Sequence, residues 1–265
     1  MPTDLYNQIL NLLGKDNVLE VKLTDEELDR FDRHTVYKTD SWEIAFPVIN
    51  QAIKENKKVL LVCNRVQSAQ KVFEQVKEKY SIIPSMLLHS RFKRCTREQM
   101  EKQLIGKDNK GQSTGQFNTS EKACVVVSTQ VVEVSLDINF DLMVTECAPL
   151  DALIQRFGRI NRKRNEQTIG RLKPVYVIVP PETEKEAKPY DLKILQDSYA
   201  QLPNGEVIHE RDIQKKINEV FPTVDMPEIE EHAIFKKSGE WTINELTHRP
   251  KSFLLETLDI DNVAC

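Results

Sequence analysis

The sequence predicts an α/β fold, a three-layer parallel sheet with helices on both faces, from two observations. Short apolar runs of strand type recur along the chain, at V-L-L-V-C (59–63), S-M-L-L-H (85–89), A-C-V-V-V-S (123–128), D-L-M-V-T (141–145) and P-V-Y-V-I-V (174–179). Helical patterns lie between them. Continuously apolar strands that alternate with helices are typical of a parallel sheet buried on both faces, joined by right-handed crossovers.

Residues 1–35 are predicted to be a lead-in to this pattern. Apolar residues at helical spacing over 5–13 predict a helix that ends at Gly14. Residues 17–23 alternate as a strand does, and the charged run 25–33 is expected to be a solvated linker.

From residue 36 onward helices and strands are expected to alternate. An amphipathic segment begins near Trp42, and Pro47 is expected to kink this helix or mark its start. Further helices are predicted over residues 66–76, over about 96–105 and from Leu150. The polar stretch 107–122 contains two glycines and is predicted to be a surface loop.

After Pro180-Pro181 the composition shifts, and residues 190–202 and 210–220 read as two helices. Residues 222–265 are less regular. We therefore expect a boundary near 181, which divides the chain into 1–35, 36–181 and 182–265.

The composition excludes several classes of function. With 37 Lys+Arg against 41 Asp+Glu, the net charge is −4, so any contact with nucleic acid must be local. The five cysteines form no C-x-x-C pair, which argues against a disulfide framework and a structural zinc and favours a reducing cytoplasm. No stretch approaches the ~18 uninterrupted apolar residues of a membrane span, so no membrane partner is expected. The five histidines are scattered along the chain, and no protein-bound metal is expected.

The segment D-A-L-I-Q-R-F-G-R-I-N-R-K-R (151–164) is the most informative in the chain. On a helix at 100° per residue, one side carries the apolar residues Leu150, Leu153, Phe157 and Ile160. Gln155, Arg159 and Arg162 would share the opposite side, within about 60° of one another. Ordinary solvated arginines would give this pattern. Two arginine forks one turn apart would also stabilise the negative charge on a transferring phosphoryl group.

A second segment, S-T-Q-V-V-E-V-S-L-D-I-N-F-D (128–141), follows a predicted strand. The carboxyl edge of an open parallel sheet is where ligands bind, so Thr129 and Gln130 are expected to emerge into a crevice. Asp137 is placed to turn its carboxylate toward a ribose hydroxyl. A turn and helix start capped by Ser, Thr and Asp would account for the same residues.

Together these segments resemble motifs VI and V of superfamily 2 helicases. Q-R-F-G-R-I-N-R matches the pattern Q-R-x-G-R-x-x-R, and S-T-Q-V-V-E-V-S-L-D-I precedes it. The longer blocks are similar to the CRISPR-associated helicase-nuclease of type I systems, whose motif IV and next strand-end motif resemble V-L-L-V-C-N-R-V-Q-S-A-Q (59–70) and L-L-H-S-R-F (87–92). The resemblance covers about residues 36–180. It implies a RecA-like helicase C-terminal lobe with a helical C-terminal extension.

The resemblance implies roles for the residues of the motif VI segment. Arg159 and Arg162 match the arginines that reach the γ-phosphate of ATP across the cleft between two lobes. Gln155 matches the residue that positions the attacking water or links to the other lobe. Arg156 matches a supporting arginine in the ATP site, with a structural ion pair as the alternative, and Gly158 matches the glycine that keeps the helix surface low.

The remaining roles concern ribose and nucleic acid. Asp137 matches the carboxylate near the ATP ribose, and Ser135 the small residue beside it. Four residues at strand ends match contacts to the backbone of single-stranded DNA: Asn64, Arg65, Ser90 and Arg91. Thr129 and Gln130 match motif V positions that contact nucleic acid or couple it to ATP. His89 fits a cap or core role as well as a contact.

Other parts of an ATPase are missing from these 265 residues. No G-x-x-x-x-G-K-[ST] phosphate loop occurs, and no Asp-Glu-x-His/Asp box follows a strand. The opening M-P-T-D-L resembles the residues after motif III of the family's first lobe. We therefore expect residues 1–35 to be a lead-in from that lobe, and 182–265 to be a helical linker and the start of an accessory region.

The expected function is the C-terminal motor lobe of an ATP-dependent DNA helicase of type I CRISPR antiviral defence. The first lobe, in cis or in trans, would complete the ATP site and hold Mg²⁺, so the chain alone should not hydrolyse ATP. Single-stranded DNA and a CRISPR effector complex would be the other partners. The alternative is a non-catalytic nucleic-acid-binding or regulatory module derived from that helicase.

Overall fold

The computed structural model describes residues 2–106, 115, 117, 122–133, 138–162, 168–223, 233–235 and 241–243. Contacts divide the chain into two units, Met1–Pro222 and Thr223–Cys265. In the first unit the described strands are β1 (His34–Thr39), β2 (Lys58–Val62), β3 (Ser85–Leu88), β4 (Cys124–Ser128), β5 (Leu142–Glu146), β6 (Lys173–Ile178) and β7 (Glu206–Val207).

These strands form one sheet in the order β3-β4-β2-β5-β6-β1-β7. All neighbours pair in parallel except β7, which runs antiparallel to β1. The five strands predicted from the apolar runs are confirmed. In register, Ser128 pairs with both Leu88 and Val62, and Val62 pairs with Thr145, so β3, β4, β2 and β5 end together at one edge of the sheet.

Helices cover both faces of this sheet, as the three-layer prediction requires. The helices of the described residues are α1 (Thr3–Leu13), α2 (Asp25–Asp29), α3 (Trp42–Lys54), α4 (Val66–Lys79), α5 (Arg94–Ile105), α6 (Leu150–Phe157), α7 (Glu184–Ala187), α8 (Leu192–Ala200) and α9 (Ile213–Val220). Helices α1 and α2 have no buried residue, so the layers are formed by the later helices. One apolar cluster joins Leu61 of β2 to α3 and α4. The other joins Leu60, the next residue along, to α5, α6, α8 and α9. Adjacent strand residues point to opposite faces, so the sheet separates two cores.

The lead-in differs from its prediction in two places. Helix α1 ends at Gly14, as predicted, with φ of 82° there. The strand predicted over 17–23 is wrong, because those residues pair with no strand and Leu19 and Val21 are 89% and 81% exposed. The solvated linker 25–33 is also wrong in part. It contains α2, where Thr24 and Glu27 form a capping box.

Helix α3 runs through Pro47, so the proline does not mark its start. The helix begins at Trp42, and the hydroxyl of Ser41 caps it by accepting a hydrogen bond from the Ile44 N–H at 3.4 Å. Pro47 itself is exposed.

The predicted surface loop 107–122 lies mostly outside the described residues. Three of its residues are described: Gly115 and Phe117 are buried, and Lys122 is exposed. Phe117 packs into the core cluster that contains Leu104 of α5. The prediction of a surface loop is therefore wrong for this part of the stretch.

The division of the chain falls at Pro222 rather than at the predicted 181. Leu195 of α8 and Ile217 of α9 are buried in the same cluster as Leu153 of α6. These two predicted helices are therefore part of the lobe's core and not a separate linker. In the second unit, the strands β8 (Ala233–Phe235) and β9 (Trp241–Ile243) pair antiparallel. Within the part of the chain that the structure describes, no helix has the length and apolar character needed to cross a membrane.

Candidate functional site

The carboxyl edge of the sheet gathers the predicted strand-end residues. Asn64 and Arg65 follow β2, Ser90 and Arg91 follow β3, and Thr129 and Gln130 follow β4. The ends of β3 and β4 are tied together, because the Ser128 hydroxyl and the Thr129 N–H both donate to the Leu88 carbonyl, at 3.0 and 3.2 Å. Arg65, Ser90 and Arg91 are exposed, whereas Thr129 is buried.

Arg156 lies fully buried behind this edge. Its Nε donates to Glu133 Oε1 at 2.8 Å, an ion pair in which the Glu133 side chain is 14% exposed. Its Nη1 donates to Thr145 Oγ1 at 2.9 Å and to the Glu146 carbonyl at 3.1 Å. Of the two readings that the sequence left open, the structure shows the ion pair.

The second terminal nitrogen of Arg156 donates the remaining hydrogen bonds of the guanidinium. Nη2 donates to Asn64 Oδ1 at 3.0 Å and to the Tyr190 hydroxyl at 3.5 Å. A guanidinium has five N–H donors, so all of them are engaged within the protein. This buried cation joins the motif V segment (Glu133), the motif IV segment (Asn64), the end of β5 and the C-terminal part of the lobe.

The backbone and side chain of Asn64 both form hydrogen bonds within the same network. Its N–H donates to Glu146 Oε2 at 2.6 Å, and its Nδ2 donates to the Cys147 carbonyl at 2.7 Å. Gln130 Nε2 donates to the Asn64 carbonyl at 2.8 Å. The amide group of Asn64 is thus engaged at both ends. Its exposed neighbour Arg65 is the residue of the pair that faces solvent.

Glu146 is the second acid of this network. Burial raises the pKa of its carboxyl above the ordinary value, while the Asn64 N–H and the charges of Arg156 and Arg65 oppose the rise. The net direction is upward because desolvation disfavours the charged form of a carboxyl group.

The predicted shared face of Gln155, Arg159 and Arg162 is wrong, because α6 ends at Phe157. Gln155 is exposed on the helix, and Arg159 lies in the turn beyond Gly158. Gly158 has an ordinary αR conformation. A Cβ there would lie 3.3 Å from the Gln155 carbonyl oxygen, so the glycine does permit a close approach of backbone.

A backbone bridge explains why the helix stops. The Phe140 N–H donates to the Arg159 carbonyl at 3.1 Å, and the Asn161 N–H donates to the Phe140 carbonyl at 3.3 Å. This bridge pairs Phe140 with Ile160 in parallel. After α6 the chain therefore turns at Gly158 and Arg159, and Ile160 is held beside the residues that precede β5.

Arg159 and Arg162 are anchored differently by this turn. Arg159 is 8% exposed, and its Nη2 donates to the Glu133 carbonyl at 2.7 Å. Arg162 is half-buried, and its backbone N–H donates to Asn139 Oδ1 at 2.9 Å. Between them, Asn161 adopts φ of 53°, and its Nδ2 donates to the Arg171 carbonyl at 2.6 Å.

Two predicted residues, Ser135 and Asp137, lie outside the described residues. The sequence argument also missed Glu133, Glu146 and Tyr190. Glu133 carried a usable signal, because it lies within the motif V stretch and a buried arginine requires an acid nearby. Tyr190 carried none, because it lies beyond the segment that resembles the helicase motifs.

A parallel sheet whose carboxyl edge is joined to the Q-R-F-G-R-I-N-R segment defines a class of protein. The chain contains the RecA-like C-terminal lobe of a superfamily 2 helicase. Residues 55–165 match the family model described as CRISPR-associated nuclease/helicase Cas3, C-terminal. The lobe is a Cas3-type C-terminal helicase lobe.

Curated relatives agree with this assignment. The chain is 30% identical over 193 residues to a putative CRISPR-associated nuclease/helicase Cas3 of Methanocaldococcus jannaschii, covering 71% of the chain and 22% of the relative. It is 31% identical over 205 residues to the CRISPR-associated nuclease/helicase Cas3 of Methanothermobacter thermautotrophicus, covering 76% of the chain and 23% of the relative. The chain therefore spans less than a quarter of either protein.

A solved structure has the same fold. The crystal structure of T. fusca Cas3-AMPPNP superposes with a TM-score of 0.62 at 23% identity, covering 77% of this chain and 25% of that one.

Proposed function

We propose that this chain is the C-terminal motor lobe of an ATP-dependent DNA helicase of type I CRISPR antiviral defence. The observation that carries the proposal is the buried network of Arg156. It joins the motif IV, V and VI segments of a Cas3-type lobe through hydrogen bonds to Asn64 and Glu133. A shift of the motif VI segment on binding phosphate would thus be transmitted to the strand-end residues, because the network is buried and fully hydrogen-bonded.

On the ATP side, Arg159 and Arg162 would stabilise charge on the transferring phosphoryl group, and Gln155 would orient the attacking water or contact the first lobe. Arg156 does not fit direct phosphate contact, because its five donors are engaged internally. Arg159 fits better, because its Nη2 donates to the neutral Glu133 carbonyl and not to a carboxylate, a charge-assisted bond worth about 1.5–3 kcal/mol.

The remainder of the ATP site is assigned to another lobe. Mg²⁺ would be held by the first lobe, because this sequence lacks the phosphate loop and the acidic box that bind it in the family. Asp137 and Ser135 are proposed to lie near the ribose, on the strength of the motif match. This lobe would contribute the positive charges of Arg159 and Arg162 and, through Gln155, the orientation of the attacking water.

On the DNA side, the exposed Arg65, Ser90 and Arg91 would contact the backbone of single-stranded DNA. Gln130 and Thr129 would couple that contact to the Arg156 network, because Gln130 is bonded to Asn64 and Thr129 to the end of β3. Contacts of this kind hold a strand in place without reading its sequence.

The partners proposed for the complete protein follow its relatives. A Cas3-like fold at 24% identity and a TM-score of 0.57 occurs in a structure entitled CRISPR RNA-guided surveillance complex, pre-nicking. We propose a CRISPR effector complex as the partner here too, acting in the cytoplasm, with a first lobe supplied in cis or in trans.

The test is ATP hydrolysis by the chain alone and by the chain joined to a first lobe that carries the phosphate loop. The chain alone is expected to show no DNA-stimulated hydrolysis, and the joined motor is expected to show it. Robust hydrolysis by the chain alone would overturn the proposal. DNA binding without hydrolysis by the joined motor would instead support the non-catalytic module.

A further inference from the structure

Two aromatic rings stack at the carboxyl end of β3. The centroids of His89 and Phe92 lie 4.1 Å apart, and the ring planes differ by 5°. His89 is buried, and its Nδ1 accepts a hydrogen bond from the Arg91 N–H at 3.2 Å. Burial and the charge of Arg91 lower the pKa of His89 below its ordinary value, which favours the neutral ring whose Nδ1 can accept that bond. The orientation of the pair is therefore fixed by the fold.

Phe92 does not belong to the core as the structure describes it. It is half-buried, and it is absent from both apolar clusters and from the partly buried residues that pack against them. An apolar ring is usually stabilised by burial in a core. Here the contact that orients the ring is a polar, buried histidine, so the fold presents the phenyl ring at the edge of the sheet.

The surroundings of Phe92 are polar and positively charged. Ser90, Arg91 and Lys93 are all exposed. The strand that they follow is bonded to β4 through the Thr129 N–H and the Leu88 carbonyl. The ring therefore lies within the same row of strand ends as the proposed DNA contacts. Proteins that bind single strands without sequence preference combine a positive groove with aromatic rings on which bases stack.

We propose that Phe92 is a stacking platform for one nucleobase of single-stranded DNA, oriented by His89, with Arg91 and Lys93 on the flanking phosphates. This inference rests on the proposed function and adds a base contact to the backbone contacts proposed above. The platform accepts any base, because every base has a π face.

The experiment measures affinity of the 265-residue chain for an oligothymidylate and for an abasic oligonucleotide of equal length, by fluorescence anisotropy at fixed salt. Phe92→Ala is expected to weaken oligothymidylate binding roughly 5- to 150-fold, the range of one lost stacking contact. Phe92→Leu, which keeps an apolar side chain without a π face, is expected to weaken it similarly. Ile82→Ala is the matched control, because Ile82 is 91% exposed elsewhere on the surface. It should bind as the unmodified chain does.

Two further readouts separate stacking from folding. The abasic oligonucleotide should bind the unmodified chain and Phe92→Ala equally, because this oligonucleotide has no base to stack on the ring. Phe92→Trp should keep its affinity, and its added fluorescence should be quenched by oligothymidylate but not by the abasic strand. If Phe92→Ala and Phe92→Leu bind oligothymidylate as tightly as the unmodified chain does, the stacking inference is overturned and the proposed function is not. No binding by the unmodified chain would overturn the proposed function as well.

Discussion

Replacing Arg156 with methionine removes the centre of the buried network and keeps a side chain of similar length. The substitution leaves the Glu133 carboxylate, 14% exposed, without its ion-pair partner. It also leaves Asn64 Oδ1 and the Glu146 carbonyl without the donors that now contact them at 3.0 and 3.1 Å. Arg156→Met is therefore expected to destabilise the lobe strongly.

The expected loss of unfolding free energy can be estimated from the Glu133 carboxylate that stays buried without a partner. Removing one partner of a buried ion pair costs about 3–5 kcal/mol, because the other charge stays desolvated. At a urea m-value of about 2–3 kcal/mol/M, that loss lowers the unfolding midpoint by about 1–2.5 M. Because the cost comes from the orphaned partner, Glu133→Gln combined with Arg156→Met should lose about 1–3 kcal/mol less than the sum of the single changes.

The assay is equilibrium urea unfolding followed by circular dichroism. The matched control is Arg171→Met, the same change at an exposed arginine, which should stay within about 0.5 kcal/mol of the unmodified chain. A loss below about 1 kcal/mol for Arg156→Met, indistinguishable from that control, would refute the reasoning.

Three other predictions concern stability. Asn161→Ala should lose about 1 kcal/mol more than Asn161→Gly in urea unfolding, because only glycine tolerates φ of 53° without strain; equal losses would contradict this. The raised pKa of Glu146 means that its share of stability is present at acid pH and falls as pH rises through its folded pKa, so Glu146→Gln should flatten the decline in unfolding free energy above about pH 4.5. An unchanged pH profile would count against the assignment. Leu195→Ala should cost about 2–5 kcal/mol in a single cooperative transition if α8 belongs to the lobe's core, whereas the exposed Lys193→Ala should cost almost nothing, and a separate early transition would favour the boundary at 181.

The sheet was largely predictable because its central strands are buried on both faces. Every residue of β4 is buried, and burial on both faces requires the unbroken apolar run that the sequence shows. Strand β1 was missed, since H-T-V-Y-K-T carries little apolar signal and its pairing with β6 joins His34 to Lys173, far along the chain. Residues 17–23 had the alternation of a strand but no neighbouring strand to pair with.

The site shows where local periodicity fails. The apolar stripe through Leu153, Phe157 and Ile160 is buried as predicted. Ile160, however, is buried through its bridge to Phe140 and not as part of a helix. A helix extended to Arg162 predicts the burial of Ile160 correctly, although its cause is the bridge. It also predicts a helix face shared by Arg159 and Arg162, which the structure does not have because α6 ends at Phe157. The backbone bridge depends on tertiary contacts, which a single-sequence pattern does not encode.

The measurement that tests the account most directly is ATP hydrolysis by the complete motor that carries Arg159→Ala in this lobe, with single-stranded DNA affinity measured without ATP. The account predicts that hydrolysis falls by about 10³-fold or more, as for other lost arginine fingers, while DNA affinity stays within about twofold. Arg171→Ala should leave both unchanged. Unchanged turnover in Arg159→Ala would contradict the proposal that this lobe supplies the catalytic arginine.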